Sequence, residues 1–267
     1  YIMHPTNPQI LFAGYNKVFK TTNQGNTWTA ISPALSDALR SIVVAPSNPN
    51  VIYAASFDTI YVTTDGGNNW NYIPLNITGA KISYLAVHPT NPQKVFVTLS
   101  GYSSGNKIYY SNDGGANWIN YSGTLPNLPV NCVVYQNGSN DALYIGTDVG
   151  VFYREANAND WTPYQTGLPN VVVTELEISY NNNKLWAATF GRGLWNSDLN
   201  PTTVGNNNII NKNDFLNIYP NPNQGIFNIE TNIDKYEVNI YNMLGELVYV
   251  ESNINSTKKI FDLSTLN

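Results

Sequence analysis

Short apolar runs separated by clusters of turn formers recur along most of the chain. Ser41–Ala45, Val51–Ala55, Thr59–Thr63 and Trp70–Ile73 are rich in β-branched and aromatic residues, with Pro, Asn and Gly between them, which predicts a four-stranded meander. The same order returns at Ile82–Val87, Lys94–Leu99, Lys107–Ser111 and Trp118–Tyr121, with an inserted loop over Gly101–Gly105. It returns again at Asn131–Tyr135, Ala142–Gly146, Gly150–Tyr153 and Trp161–Tyr164, and a shorter set follows at Thr174–Ser179, Leu185–Thr189 and Gly193–Ser197. Helical periodicity is absent throughout.

One turn repeats in register with these runs: Thr21-Thr22-Asn23-Gln24-Gly25-Asn26-Thr27-Trp28, Thr63-Thr64-Asp65-Gly66-Gly67-Asn68-Asn69-Trp70 and Ser111-Asn112-Asp113-Gly114-Gly115-Ala116-Asn117-Trp118. A degenerate fourth copy keeps Trp161 but has Arg154, Ala156 and Ala158 where Ser, Asp and Gly belong. The tryptophans recur at roughly 42 to 48 residues, the period of four-stranded units. His4-Pro5-Thr6-Asn7-Pro8, Ala45-Pro46-Ser47-Asn48-Pro49 and His88-Pro89-Thr90-Asn91-Pro92 keep the same beat. All-sheet repeats of this size hide both faces of each sheet by packing radially. The fold class expected is therefore all-β, with residues 1–199 forming about four blades of a β-propeller, incomplete at the N-terminus.

Composition narrows the partners. Of 267 residues, 42% are apolar and 12% charged, enough to build a core. The net charge is −5 and the 13 Lys and Arg stand singly, so no basic stripe follows a phosphate backbone and nucleic acid is not an expected partner. No apolar run approaches the roughly eighteen residues a membrane-spanning helix needs. Cys132, the single cysteine, lies in an apolar run and reads as an inert core thiol. The start at Tyr1, inside a repeat and without a leader, reads as a fragment of a longer precursor.

After Leu199 the chain becomes polar, uncharged and rich in turn formers, so a linker is expected over 200–213. Residues 214–267 then carry strand-like runs at Phe215–Tyr219, Gly225–Ile229, Tyr236–Tyr241, Leu247–Val250 and Lys259–Leu263. These read as a small, truncated β-sandwich.

The turns at 63–70 and 111–118 resemble the Asp-box of neuraminidase (BNR) repeats, sortilin-like propellers and xyloglucanase-like glycoside hydrolases. The physical role agrees: Thr63 with Asp65, and Ser111 with Asp113, are spaced to cap a tight turn, Gly67 and Gly115 take φ > 0, and Trp70 and Trp118 plug the sheet. One carboxylate per turn is too few for a calcium loop, so no metal is expected there, and no cofactor motif appears elsewhere. His4 and His88 stand where the middle repeat has Ala45, which favours a bend over acid–base or metal chemistry.

The tail resembles the type A C-terminal sorting domain of the Bacteroidetes type IX secretion system. Three segments carry the resemblance: Asn217-Ile218-Tyr219-Pro220-Asn221-Pro222-Asn223-Gln224-Gly225, then Val238–Val248 with its Met243-Leu244-Gly245-Glu246, then Phe261–Leu266. It implies export through that machinery, with the protein secreted or held on the outer-membrane surface, and it implies the machinery as a partner.

Propeller geometry puts the loops between second and third strands, and those between blades, on the face opposite the Asp-box turns. Tyr15, Phe57, Tyr102, Phe190 and Arg192, with Asn16, fall in the former and could line a sugar-binding groove; Asp37, Arg40 and Glu175 fall between blades. Glycoside hydrolysis needs two carboxylates about 5 to 10 Å apart, and Asp58 with Asp148 or Glu175 are the candidates. A sialidase would need more arginines than Arg40, Arg154 and Arg192. Three readings follow: a secreted propeller that binds glycans or extracellular partners, a glycoside hydrolase whose catalytic acids lie partly in missing blades, or a stalk that spaces an upstream activity from the tail.

Overall fold

Every regular element among the described residues is a β-strand. The computed structural model describes residues 1–35, 37–77, 79, 81–201, 216–220, 223–233, 235–242 and 246–264. From 202 onward the linker expected over 200–213 lies outside these. The chain divides into two units, Tyr1–Val204 and Gly205–Asn267.

The first unit holds five antiparallel sheets in chain order. They are β1–β4 (Ile2–Met3, Leu11–Gly14, Val18–Thr21, Thr29–Ala30), β5–β8 (Ser41–Val44, Ile52–Ala55, Ile60–Thr63, Asn71–Ile73) and β9–β12 (Ile82–Val87, Val95–Leu99, Ile108–Ser111, Ile119–Asn120). Next come β13–β16 (Val130–Tyr135, Leu143–Thr147, Gly150–Arg154, Thr162–Pro163) and a three-stranded sheet, β17–β19 (Val173–Ser179, Lys184–Thr189, Gly193–Asp198). Each is a meander in which sequence neighbours pair.

Burial explains the composition of the strands. All four residues of β6, and all five of β10 and β14, are buried because a second strand has sheets against both its faces. Alternation assigns the faces: Val95, Val97 and Leu99 pack with Tyr53, Ile60 and Ile73 of the second sheet, while Phe96 packs with Val133, Leu143 and Ile145 of the fourth. Cys132, Tyr144, Val173, Leu176 and Leu185 fill the next layer, and Phe12, Val44 and Ile52 one before it. First strands of successive sheets lie side by side, the arrangement of propeller blades.

In the second unit β20 (Leu216–Tyr219), β21 (Ile226–Thr231) and β24 (Lys258–Asp262) form one sheet, and β22 (Tyr236–Tyr241) with β23 (Leu247–Ile254) another. Ile229, Phe261 and Ile254 are buried between the two, with Phe227, Tyr236, Val238 and Tyr249 packed around them.

Candidate functional site

The two ends of the blades are built differently. At one end, the Asp-box turn folds onto the turn between the first two strands: Gln24 N–H donates to Gln9 O, Gly66 N–H to Asn50 O and Gly114 N–H to Gln93 O. The degenerate copy keeps this bond, from Ala156 N–H to Asn140 O at 2.9 Å. Inside the second box the Thr63 hydroxyl donates to Asp65 Oδ1 at 2.8 Å and accepts from Gly67 N–H at 2.9 Å. Asp65 accepts from Asn69 N–H and Asn69 Nδ2. Ser111, Asp113, Gly115 and Asn117 repeat the pattern. The hydrogen bonds from Asn69 hold the Asp65 carboxyl down at about 2, and those from Ser111 and Asn117 do the same for Asp113. Each of these carboxylates accepts three hydrogen bonds from its own turn.

The same end contains a polar cluster of which the sequence reading singled out only His88, as part of a bend. His88 Nδ1 accepts from Thr90 N–H and Asn91 N–H, while its Nε2 lies 3.3 Å from Asp141, which also holds Lys94 at 2.5 Å and Tyr135 Oη at 2.9 Å. Among the described residues no three His, Cys, Asp or Glu side chains converge as a metal-binding group.

The opposite end carries the loops between second and third strands. They are tied to the connectors between sheets or to the strand that follows, with Leu39 N–H donating to Tyr15 O, Ile82 N–H to Phe57 O and Phe190 N–H to Val172 O. Tyr15, Tyr102 and Phe190 are 68%, 70% and 76% exposed. Phe57 differs from them: Arg40 stands over its ring at 4.6 Å and Lys81 at 5.6 Å, so the ring carries two cations. Both cations sit at the residue just before a first strand, Ser41 and Ile82 opening β5 and β9. That shared position is the signal by which Lys81 could have been found beside Arg40. Arg192 is exposed, and its carbonyl accepts from Trp195 Nε1.

The three acids go to separate partners. Asp58 accepts from the Thr59 hydroxyl at 2.7 Å and lines a cavity of about 660 Å³ with Phe57, Tyr72, Asn76 and Lys81. Asp148 accepts from Asn131 Nδ2 at 3.0 Å. Glu175, expected between blades, sits on β17, where it accepts from Tyr84 Oη of the third sheet at 2.7 Å. Beside it, burial and then the Glu175 charge raise the Glu177 carboxyl. Neither Asp148 nor Glu175 is on the wall of the Asp58 cavity.

In the second unit Tyr219 Oη donates to Glu230 and its carbonyl accepts from Asn228 Nδ2; the Tyr219–Pro220 peptide is cis. Gly225, at φ +92°, would place a Cβ 2.8 Å from Ser264 Cα, and its carbonyl accepts from Leu263 N–H. Thus the first tail segment closes on the third. Asn221, Pro222 and Gly245 lie outside the described residues.

Residues 217–267 match the secretion system C-terminal sorting domain, and residues 16–125 match Sortilin-Vps10, the family of sortilin, neurotensin receptor 3. The chain joins sortilin-like propeller repeats to a secretion sorting domain. The sorting domain marks it for the cell surface or extracellular space by the type IX route of Bacteroidetes; no helix among the described residues is long and apolar enough to cross a membrane. An ancestral GH74 enzyme is similar at 16% identity and TM-score 0.57, over 94% of this chain and 38% of that one. The GH74 xyloglucanase of Xanthomonas campestris aligns at 14% identity and TM-score 0.59, over 97% of this chain and 44% of that one. YCF48 bound to D1 peptide aligns at 18% identity and TM-score 0.52, over 74% of this chain and 68% of that one. These likenesses establish the propeller fold, and the chain spans less than half of either GH74 protein. No curated protein sequence matches the chain.

Proposed function

We propose that the first unit is a carbohydrate-binding module of an exported protein, with its ligand held by the loops between second and third strands. The observation that carries this is the exposure of Tyr15, Tyr102 and Phe190, one from each of three sheets, on the face that the Asp-box turns leave free. Exposed aromatic rings leave their flat faces free to stack on the C–H faces of sugars. The acids favour binding over hydrolysis, since neither Asp148 nor Glu175 shares the cavity that Asp58 lines. The tail, on this reading, docks on the type IX machinery.

Glycan-array screening of the whole chain, followed by titration of the best oligosaccharide, tests the proposal. Tyr102→Ala and Phe190→Ala should each weaken binding about tenfold, with the melting temperature unchanged. Full affinity in both variants would remove the aromatic face from the site. Release of reducing sugar from xyloglucan would instead support the hydrolase reading suggested by the xyloglucanase likeness.

A further inference from the structure

Phe57 differs from the exposed rings of this face in having Arg40 and Lys81 over it at 4.6 and 5.6 Å. It therefore presents a pair of positive charges. Among the described residues the ion pairs are those of Asp141, of Lys184 with Asp198 and of Lys259 with Glu251, and none involves Arg40 or Lys81. Two cations brought to one ring repel each other, which an anionic group between them would relieve. Lys81 and Phe57 line a cavity of about 660 Å³, and Arg40 reaches it through the Phe57 ring.

The rest of that wall is built for hydroxyl groups. Asp58 accepts the Thr59 hydroxyl with one oxygen, Oδ1, and Oδ2 is available to accept more. Asn76 both donates and accepts, and Tyr72, 61% exposed, offers a ring face. We infer that this cavity is a subsite for an anionic saccharide, whose acid group meets Arg40 and Lys81 while its ring hydroxyls meet Asp58 and Asn76. A planar carboxylate suits the Arg40 guanidinium, and Asp58 disfavours a ligand that carries charge at every position. The inference deepens the proposed function and rests on that reading of this face as the binding face.

The test is calorimetric titration of the whole chain with three probes: a galacturonate oligomer, a sulfated galactan oligosaccharide and a neutral cello-oligosaccharide. At least one acidic probe should bind about tenfold tighter than the neutral one, lose that margin in Arg40→Gln and Lys81→Gln, and weaken with salt. Preference for the carboxylated or the sulfated probe identifies the acid group. Equal affinity for neutral and acidic probes, no binding of either acidic probe, or acidic affinity unchanged in both variants would overturn the inference. Its failure is separable from that of the aromatic face. Neutral binding lost in Tyr102→Ala but unaffected by Arg40→Gln leaves the proposed function standing without the anionic subsite. Acidic binding that ignores Tyr102→Ala and Phe190→Ala does the reverse.

Discussion

The indole Nε1–H of Trp70 donates to the main-chain oxygen of Ile31 at 2.7 Å, which ties the Asp-box turn of the second sheet to the outer edge of the first. Trp161 makes the equivalent bond to Tyr121 O at 2.8 Å, although its box has lost the hydroxyl, carboxylate and glycine. The tryptophan is therefore the part of the turn that fastens one sheet to the next, and the remaining box residues shape the turn that delivers it.

Trp118 lacks that bond: its Nε1 is buried without a partner. Replacing Trp70 by Phe removes a donor and leaves Ile31 O unsatisfied, a loss of about 1 kcal/mol and a few degrees in Tm. Trp118→Phe removes an orphaned polar group and should be close to neutral. Thermal unfolding of the two variants compares them directly; equal losses would mean that indole packing, and not the hydrogen bond, sets the cost.

The second box glycine is fixed by two demands. Gly67 sits at φ +105°, and a Cβ there would meet Ile31 Cβ, Cδ1 and O, all at 2.9 Å. Gly67→Ala should cost about 2 to 4 kcal/mol from left-handed strain and overlap together. Gly25, at φ +92°, has nothing nearer than Trp28 at 3.7 Å, so Gly25→Ala should cost only about 1 to 2 kcal/mol. Chemical denaturation resolves the difference.

The third and seventh box positions are matched. Asp65 and Asp113 face Asn69 and Asn117, which donate to them through main chain and side chain alike. In the first copy Asn23 replaces the acid, and its own Nδ2 donates to the Thr27 hydroxyl at 2.9 Å. Asp65→Asn alone sets amide donor against amide donor and should lower Tm, and Asn69→Thr in the same chain should recover most of the loss. The pH dependence changes too. Because the folded Asp65 carboxyl is depressed to about 2, its contribution is complete above the ordinary carboxylate range and is lost as pH falls from about 4 toward 2. The double variant should show a shallower acid limb in that window; an unchanged limb would assign acid sensitivity to other groups.

How far these features were legible follows from their range. The blades could be read because each needs only local signals: a β-branched run, a turn, and a Trp that returns in register. The same holds for the tail, where Tyr219 and Gly225 stand in one short segment. Pairings between sheets carry no such mark. Glu175 meets Tyr84, 91 positions away in sequence, and nothing beside either residue announces the other. Phe57 looked like a free platform because Lys81 reaches it from the next connector; only the shared place of Arg40 and Lys81 before a first strand hinted at it.

His88 supplies a last test, at milder pH. Its Nδ1 accepts two main-chain N–H groups, from Thr90 and Asn91 at 3.1 Å each, so a proton on that nitrogen would displace both. Burial holds the imidazole below its usual range, against the upward pull of Asp141, and the Lys94 charge pushes it lower still. With the folded pKa below the unfolded value of about 6.5, the His88 contribution is fully present above that pH and fades as pH falls through the folded pKa. His88→Ala should therefore lower Tm at pH 7.5 and lower it less at pH 5, so the two unfolding curves converge on acidification. Wild type and variant differing by the same amount at both pH values would show that ring packing on Tyr135, 4.9 Å away between centroids, carries the whole effect.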